Sequence, residues 1–309
     1  MQIRTYTVIP DRVELRPYLK RHEVIAHCPQ EDGSVAILLH VGAADYRSGD
    51  GCFPKAVSRD HNYVVLHIRE GLVAVTGIER RTRNDHFVQI DGEGRILLVG
   101  ARCEFAGESP EPNAALLSPD GETVGELTLG DGIADVHLTG DRIWVSYFDE
   151  GTFGVWGGGR PIGACGIRRF DLRGGSDYEY LAPAKLAILD CYAMTAVSDN
   201  DAWACYHPDF PVVRIRPGRP VEWWASPVSG ASGIAVRPPF VALLGSYDDK
   251  YTVSVLKLAG EHMLELVAKV RLAFADEDPI PVDRMRARAD RIHVLSDGRV
   301  ATIRIADLV

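Results

Sequence analysis

A pattern of short apolar strands separated by Gly and Asp turns recurs along the chain, and it constrains the fold more than any other feature. Residues 130–153 contain an apolar strand, a tight turn, a second apolar strand and an acidic, aromatic loop. Two further strands follow at 167–172 and 177–181. Strands of this length, joined by Gly and Asp turns, are typical of a four-stranded antiparallel meander.

The same four-strand pattern fits the sequence on both sides of this stretch. Repeats of about 40 to 60 residues lie within the range of propeller blades. We therefore predict an all-β fold, a six-bladed β-propeller of four-stranded antiparallel blades that forms a single domain over 1–309. The predicted blades cover approximately 20–82, 83–129, 130–183, 187–227, 229–273 and 280–309. Two stacked β-sandwich domains are the competing arrangement, but no linker or change of composition divides the chain.

The sixth repeat lacks a fourth strand, and the N-terminal residues 1–10 supply a candidate. Residues 2–9, QIRTYTVI, alternate in polarity ahead of the first repeat. We predict that this closing strand pairs with the C-terminal blade, beside residues 300–305. Closure of the ring in this way would remove the exposed edge that an open array presents.

The charge balance limits the partners of the protein. The chain has 309 residues, a formal net charge of -9 and a pI near 5.6. Binding to the phosphates of nucleic acids needs a basic surface, so we expect no nucleic-acid partner. A cationic, amine-bearing or metal partner suits an acidic surface better.

The N-terminal residues and the cysteines indicate a compartment. The first residues carry charges and lack the apolar core of a signal peptide. No stretch approaches the roughly 18 apolar residues of a membrane-spanning helix. The six cysteines are scattered, without a CxxC pair or zinc-ligand spacing, which favours buried reduced thiols. We expect a cytoplasmic protein with no membrane partner.

Three blocks of sequence also suggest a family. DGIADVHLTGDRIWVSYFDEGTFG, LDCYAMTAVSDNDAWACYHPDFPVVRI and GIRRFDL resemble blocks of uncharacterised β-propeller-like proteins of high-GC bacteria. The resemblance covers roughly the central third of the chain. It implies a propeller fold and carries no assigned activity.

One face of the predicted propeller carries more potentially functional side chains than the other. In a meander, the loop after the second strand and the residues before the first strand emerge on the same side, and here they carry acidic, aromatic and His residues. We predict an acidic, aromatic top face around the mouth of the central channel, because polar groups converge there at a concave opening. The predicted ligand-binding residues are Tyr147, Phe148, Asp149, Tyr206, His207, Asp209, Tyr247, Asp248, Trp156 and His86.

Two of these features have competing interpretations. Tyr147, Tyr206 and Tyr247 recur at the end of the second strand of three blades, where they either seal the rim or form a cage of rings for a cationic or sugar-like ligand. The Gly-rich loop at 149–165 either holds Trp156 over the mouth as a lid or wall, or is merely long.

Metal-assisted or acid–base chemistry is a further hypothesis for the channel mouth. Asp131, Asp190 and Asp283 supply oxygen ligands for calcium or zinc, unless these residues only fix turns. Acid–base catalysis would use His207 with Asp149 and Glu150, although neighbouring acids in a loop are usually just solvated. No recognised catalytic motif is present.

The sequence therefore leaves three functions open. The first is a binding propeller whose acidic, aromatic face holds a small polar or cationic ligand or a peptide. The second is a hydrolase, lyase or cyclase that uses Asp and His at the channel mouth, with or without a divalent metal. The third is a protein-interaction scaffold, since propellers often serve as platforms.

Overall fold

Short apolar strands and tight turns alternate along the chain, and glycines with positive φ occupy many of the turns. The structure is a computed structural model that describes residues 2–44, 53, 61–106, 109–154 and 159–309. Its strands form small antiparallel sheets, and the fold is a six-bladed β-propeller, which confirms the predicted fold class. The chain divides into two compact units, Glu14–Tyr180 and Met1–Val13 with Leu181–Val309.

After strand β1 (Ile3–Thr7), helix α1 (Arg16–Leu19) leads into the three four-stranded sheets of the unit Glu14–Tyr180. The first sheet contains β2 (His22–Pro29), β3 (Val35–Val41), β4 (His61–Arg69) and β5 (Leu72–Arg81). The second begins with β6 (Phe87–Ile90) and β7 (Ile96–Val99), is interrupted by a ribbon of β8 (Phe105–Ala106) and β9 (Ser109–Pro110), and ends with β10 (Ala114–Leu117) and β11 (Thr123–Leu127). The third contains β12 (Ile133–Thr139), β13 (Arg142–Tyr147), the short helix α2 (Asp149–Phe153), β14 (Ile167–Asp171) and β15 (Ser176–Glu179).

The other unit contains the last three sheets. The fourth sheet consists of β16 (Asp190–Ser198), β17 (Asp201–His207), β18 (Val212–Ile215) and β19 (Glu222–Trp224). The fifth has the meander β20 (Gly233–Arg237), β21 (Phe240–Leu244), β22 (Thr252–Ala259) and β23 (Met263–Ala273). A 3-10 turn, η1 (Val282–Arg284), precedes the sixth, which has β24 (Met285–Arg288), β25 (Arg291–Ser296) and β26 (Arg299–Arg304) before a second 3-10 turn, η2 (Ile305–Asp307). Within the described residues this last sheet has three strands, as the sequence predicts.

The predicted partner of the N-terminal strand is wrong. Strand β1 pairs in parallel with β23 and becomes the fifth strand of the fifth sheet, rather than pairing with β26 of the C-terminal blade. Beyond β1, the Asp11 N–H donates to the Val300 carbonyl of the sixth sheet at 2.7 Å. Alternating polarity identifies a strand but not the sheet edge that accepts it, and both edges lie in the same unit.

Apolar side chains between neighbouring sheets hold the blades together. The fourth and fifth sheets share one cluster, which includes the fully buried Trp203 together with Val212, Ile234 and Leu243. Each such side chain contributes about 1.5–3 kcal/mol through burial. This packing fixes the ends of β17 and β21, from which the candidate site emerges.

In the part of the chain that the structure describes, helical structure is confined to the short segments named above, of three to five residues each. Among the described residues, no helix is long and apolar enough to cross a membrane. The five cysteines in the described part of the chain are buried, with no disulfide between any two of them, and Cys52 lies outside it.

Candidate functional site

The three recurring tyrosines adopt two different arrangements. Tyr147 and Tyr206 are fully buried, and their hydroxyls donate to backbone carbonyls, that of Leu129 at 2.5 Å and that of Leu186 at 3.0 Å. Burial raises the pKa of Tyr147 well above its ordinary value, so its hydroxyl is a neutral donor. This geometry favours the structural interpretation, in which the rings seal the ends of their blades. Tyr247 differs, because 51% of its surface is exposed.

Tyr247 is exposed because the strand before it ends early. Strand β21 stops at Leu244, so Tyr247 lies in the following loop, whereas Tyr147 is itself the last residue of its strand. The Tyr247 N–H donates to the Ser229 carbonyl at 3.0 Å. The ring lies so close to Gly230 that a Cβ there would be 2.5 Å from Tyr247 Cδ1. A glycine at 230 is therefore required for this position of the ring.

Three aromatic rings from the fourth and fifth sheets meet at this point. Tyr192, Phe210 and Tyr247 contact one another at centroid distances of 5.1 to 5.8 Å, with interplanar angles of 88° or 89°. The Tyr247 hydroxyl donates to that of Tyr192 at 2.8 Å. Edge-to-face contacts of this kind are the preferred geometry of aromatic pairs. The orientation of Tyr247 is therefore fixed while half of the side chain stays accessible.

A histidine with an unused nitrogen adjoins these rings. His207 ends β17, and its ring lies 5.7 Å from that of Phe210. In β16, Asp190 is its register partner and is half-buried. His207 Nδ1 is shielded from solvent and has no hydrogen-bond partner among the residues that the structure describes.

Two exposed carboxylates flank the rings in the chain. Asp209 directly precedes Phe210, and Asp248 directly follows Tyr247. Within the described ranges, neither has an ion-pair or hydrogen-bond partner. We define the aromatic–acidic surface as Tyr192, His207, Asp209, Phe210, Tyr247 and Asp248.

The loop that carries Tyr247 is held by a second aspartate. Asp249 accepts hydrogen bonds from the Thr252 hydroxyl at 2.6 Å and from the Tyr251 N–H at 2.9 Å, and it pairs with Arg271 at 3.2 Å. Burial alone would raise the pKa of Asp249, but these hydrogen bonds and the nearby guanidinium lower it below its ordinary value. Asp249 is therefore an ionised structural group, and Asp248 is the free acid of the pair.

The predicted residues Phe148, Asp131 and Glu150 surround one arginine of the unit Glu14–Tyr180. Arg102 pairs with Asp131 at 3.2 Å and with Glu150 at 2.5 Å, and its guanidinium lies 5.8 Å from the centroid of Phe148. Asp131 also accepts the Cys103 N–H at 2.7 Å. The single Arg102 guanidinium pairs with both carboxylates, so the cluster offers a ligand less negative charge than its two acids would alone.

Other predicted residues of the same unit have local partners. His86 is buried, its Nδ1 accepts the Ala101 N–H at 3.0 Å, and its ring packs against Phe53. Asp149 is exposed at the start of α2 and accepts the N–H of its neighbour Glu150. Trp156 lies outside the described residues. Of the predicted catalytic residues, Asp149 and Glu150 belong to the unit Glu14–Tyr180 and His207 belongs to the other.

Of the predicted calcium or zinc ligands, Asp131 lies in the unit Glu14–Tyr180, and Asp190 and Asp283 lie in the other unit. In the described ranges, no three His, Cys, Asp or Glu side chains are grouped so that they could hold a metal ion. Asp131 is engaged with Arg102, Asp190 lies in β16, and Asp283 is exposed in η1. Metal binding by these residues stays a prediction.

The sequence did not mark Phe210 or Gly230 for the site, and it placed Tyr192 only on the predicted top face, not among the ligand-binding residues. Tyr192 follows Asp190 near the start of β16, and that position, before the first strand of a predicted blade, was its available signal. Phe210 follows Asp209 directly. Nothing in the local sequence marks Gly230 as the neighbour of Tyr247, since that contact is made only by folding.

Comparisons with known proteins define the fold and leave the activity open. No protein family matches the chain, and no curated protein matches it. Among solved structures, Kluyveromyces lactis Hsv2 is similar at 10% identity, with 89% of this chain and 71% of that chain covered and a TM-score of 0.51. Virginiamycin B lyase from Staphylococcus aureus is similar at 10% identity, 90% and 94% coverage and a TM-score of 0.50. A functionally unknown protein from Desulfotomaculum acetoxidans gives 11% identity, 92% and 83% coverage and a TM-score of 0.52.

Proposed function

We propose that the protein binds a ligand through its aromatic–acidic surface, which holds the cationic group of a small polar molecule or peptide. The carrying observation is the Tyr247 side chain, which is half exposed, fixed by contacts with Tyr192 and Phe210, and followed by the unpaired acid Asp248.

The chemistry of the surface favours a cation over other ligands. The face of a tyrosine ring attracts an ammonium or guanidinium group, with about 0.5–1 kcal/mol at an exposed site. Asp209 and Asp248 add negative charge that no described residue neutralises. The formal net charge of -9 acts in the same direction, because it attracts cations at long range. Anionic ligands are disfavoured for the same reasons.

An exposed ring and two carboxylates screened by solvent predict a Kd on the order of millimolar for a small cation. A titration followed by NMR can detect binding of this strength and therefore tests the proposal. Tetramethylammonium should shift the resonances of Tyr247 and its loop, whereas tert-butanol, which has a similar shape and no charge, should not. Tyr247→Leu should abolish the shifts, and Asp248→Asn should weaken binding about two- to fivefold.

The matched control is Asp283→Asn, which removes an exposed negative charge from η1 and should leave the affinity unchanged. The proposal fails if Tyr247→Leu binds tetramethylammonium as well as the natural sequence does. Equal shifts with tert-butanol would show apolar contact without recognition of charge, and would also overturn it.

The free nitrogen of His207 favours a second candidate, an acid–base enzyme of the hydrolase, lyase or cyclase type. An imidazole nitrogen with no hydrogen-bond partner among the described residues can accept or donate a proton in a reaction, provided that a substrate reaches it. The similar fold of virginiamycin B lyase is compatible with this chemistry but carries no residue over. Turnover of ester, lactone or cyclic peptide substrates that is lost in His207→Gln would support the enzyme, and binding without turnover would support the first proposal.

We also propose that the protein is bacterial and cytoplasmic. Fractionation of cells that express the protein would test the location.

A further inference from the structure

We infer that the natural ligand of the aromatic–acidic surface is a basic segment of another polypeptide, which docks across the loop formed by residues 245–252. This inference rests on the proposed cation binding and names the partner. It concerns the fifth sheet, where this loop joins β21 to β22.

The 245–252 loop is rigid enough to act as a preformed docking surface. Its ends are joined by the bond from the Gly245 N–H to the Thr252 carbonyl at 2.9 Å. Inside it, the Ser246 N–H donates to the Asp249 carbonyl at 2.9 Å, and Asp249 binds back to the Ser246 hydroxyl through its own N–H at 3.1 Å. The Lys250 carbonyl accepts an N–H from η1 at 2.8 Å. A loop that is already ordered loses little conformational entropy on binding.

The loop exposes two aromatic side chains rather than one. Tyr247 is 51% exposed, and Tyr251, four residues further on, is 45% exposed. Tyrosine supplies a large, amphipathic contact with few rotatable bonds, which is why it is enriched at protein interfaces. A free ammonium ion covers only part of one ring. An extended polypeptide can place a basic side chain on Tyr247 and still contact Tyr251.

The charges of the loop fit a basic partner. Asp249 is neutralised by Arg271, which leaves Asp248 as the free acid of the loop, with Asp209 beside Phe210 of the same surface. Lys250 is the basic side chain of the loop, and it is exposed. Two free carboxylates against one lysine give the surface an excess of negative charge, which a partner segment with basic residues would complement.

Fluorescence anisotropy with a short peptide that alternates glycine with lysine and arginine tests the inference. The peptide should bind at least tenfold more tightly than N-acetyl-lysine methylamide, the same cation without a chain. Tyr251→Ala should weaken peptide binding about fivefold and leave binding of the free cation unchanged. Asp248→Asn should weaken both, and the Asp283→Asn control should change neither.

Hydrogen exchange supplies a second measurement that does not depend on any variant. Bound peptide should slow exchange of backbone amides in the 245–252 loop, and a peptide with glutamate in place of lysine and arginine should not. If the free cation binds as tightly as the peptide, the inference is overturned and the proposed function stands. If neither binds, both fail.

Discussion

Tyr247 occupies the same repeat position as Tyr147 and Tyr206, but it does not share their structural role, and its side chain is accessible to a ligand. Tyr147 and Tyr206 donate their hydroxyls to backbone carbonyls inside the protein, whereas Tyr247 donates to the side chain of Tyr192 at the surface. The difference depends on space as well as on hydrogen bonding. Gly230 leaves room for the ring, and its φ of +75° lies in the left-handed region that favours glycine.

Gly230→Ala should therefore disable the site without unfolding the protein. The new Cβ would lie 2.5 Å from Tyr247 Cδ1 and force the ring away from Tyr192 and Phe210. We expect the affinity for tetramethylammonium to fall at least fivefold, and the free energy of unfolding to fall by roughly 1–3 kcal/mol. NMR titration and urea unfolding measure the two effects.

Gly218→Ala is the matched control for that substitution. Gly218 has a nearly identical φ of +77°, but a Cβ there would meet no atom within 4 Å. The control should carry the backbone strain and retain binding. If both variants bind equally well, the contact between Gly230 and Tyr247 does not position the ring.

The sequence predicted part of the candidate site, and the reason lies in which contacts are local. Asp209 and Asp248 are recognisable because each follows a strand in a loop whose side of the blade is determined by the meander. The exposure of Tyr247 could not be predicted, because it depends on where β21 ends and on a glycine in another loop. Arg102 was not selected at all, although it forms ion pairs with the predicted acids Asp131 and Glu150.

At the scale of elements, strands were predictable and one pairing was not. The period of two in β1 is visible in the sequence, but its parallel partner β23 is separated from it by most of the chain. Two side chains anchor the strand in its observed position. Tyr6 packs against a core cluster of the same unit, and Arg4 donates to the Leu308 carbonyl at 2.6 Å. Neither anchor can be recognised before the last sheets are in place.

The anchoring of β1 gives a prediction at this scale. Tyr6→Ala should lower the free energy of unfolding by about 1–3 kcal/mol, because it removes an aromatic ring from the edge of the core. Thr5→Ala, one residue earlier in the same strand and exposed, should change it by less than about 0.5 kcal/mol. Urea unfolding compares the two variants. Similar effects would contradict the structure, in which Tyr6 packs against the core and Thr5 is exposed.

At the scale of the whole molecule, the repeated strand pattern determines a six-bladed fold. Titratable side chains buried inside the sheets make the stability of this fold depend on pH. The sixth sheet buries His293 completely, with Nδ1 3.1 Å from the Thr302 hydroxyl. Burial, followed by the charges of Arg291 and Arg288, lowers the pKa of His293 to about 3 from an ordinary value of 6.5. The folded protein therefore holds this imidazole neutral.

The sign of the pH effect follows from proton binding. Between about pH 6.5 and pH 3 the unfolded chain binds a proton at His293 that the folded protein does not, so acidification favours unfolding. Each pH unit of acidification in this window lowers the free energy of unfolding by about 1.4 kcal/mol, and the total loss at a pH near 4.5 is roughly 3 kcal/mol. His293→Gln removes the titrating group, so the difference in free energy of unfolding between the natural protein and this variant should shrink steadily as the pH falls through the window. A difference that stays constant from neutral to acidic pH would show that His293 binds its proton equally well in the folded and unfolded protein. The conclusion that the folded protein keeps this imidazole neutral would then be wrong.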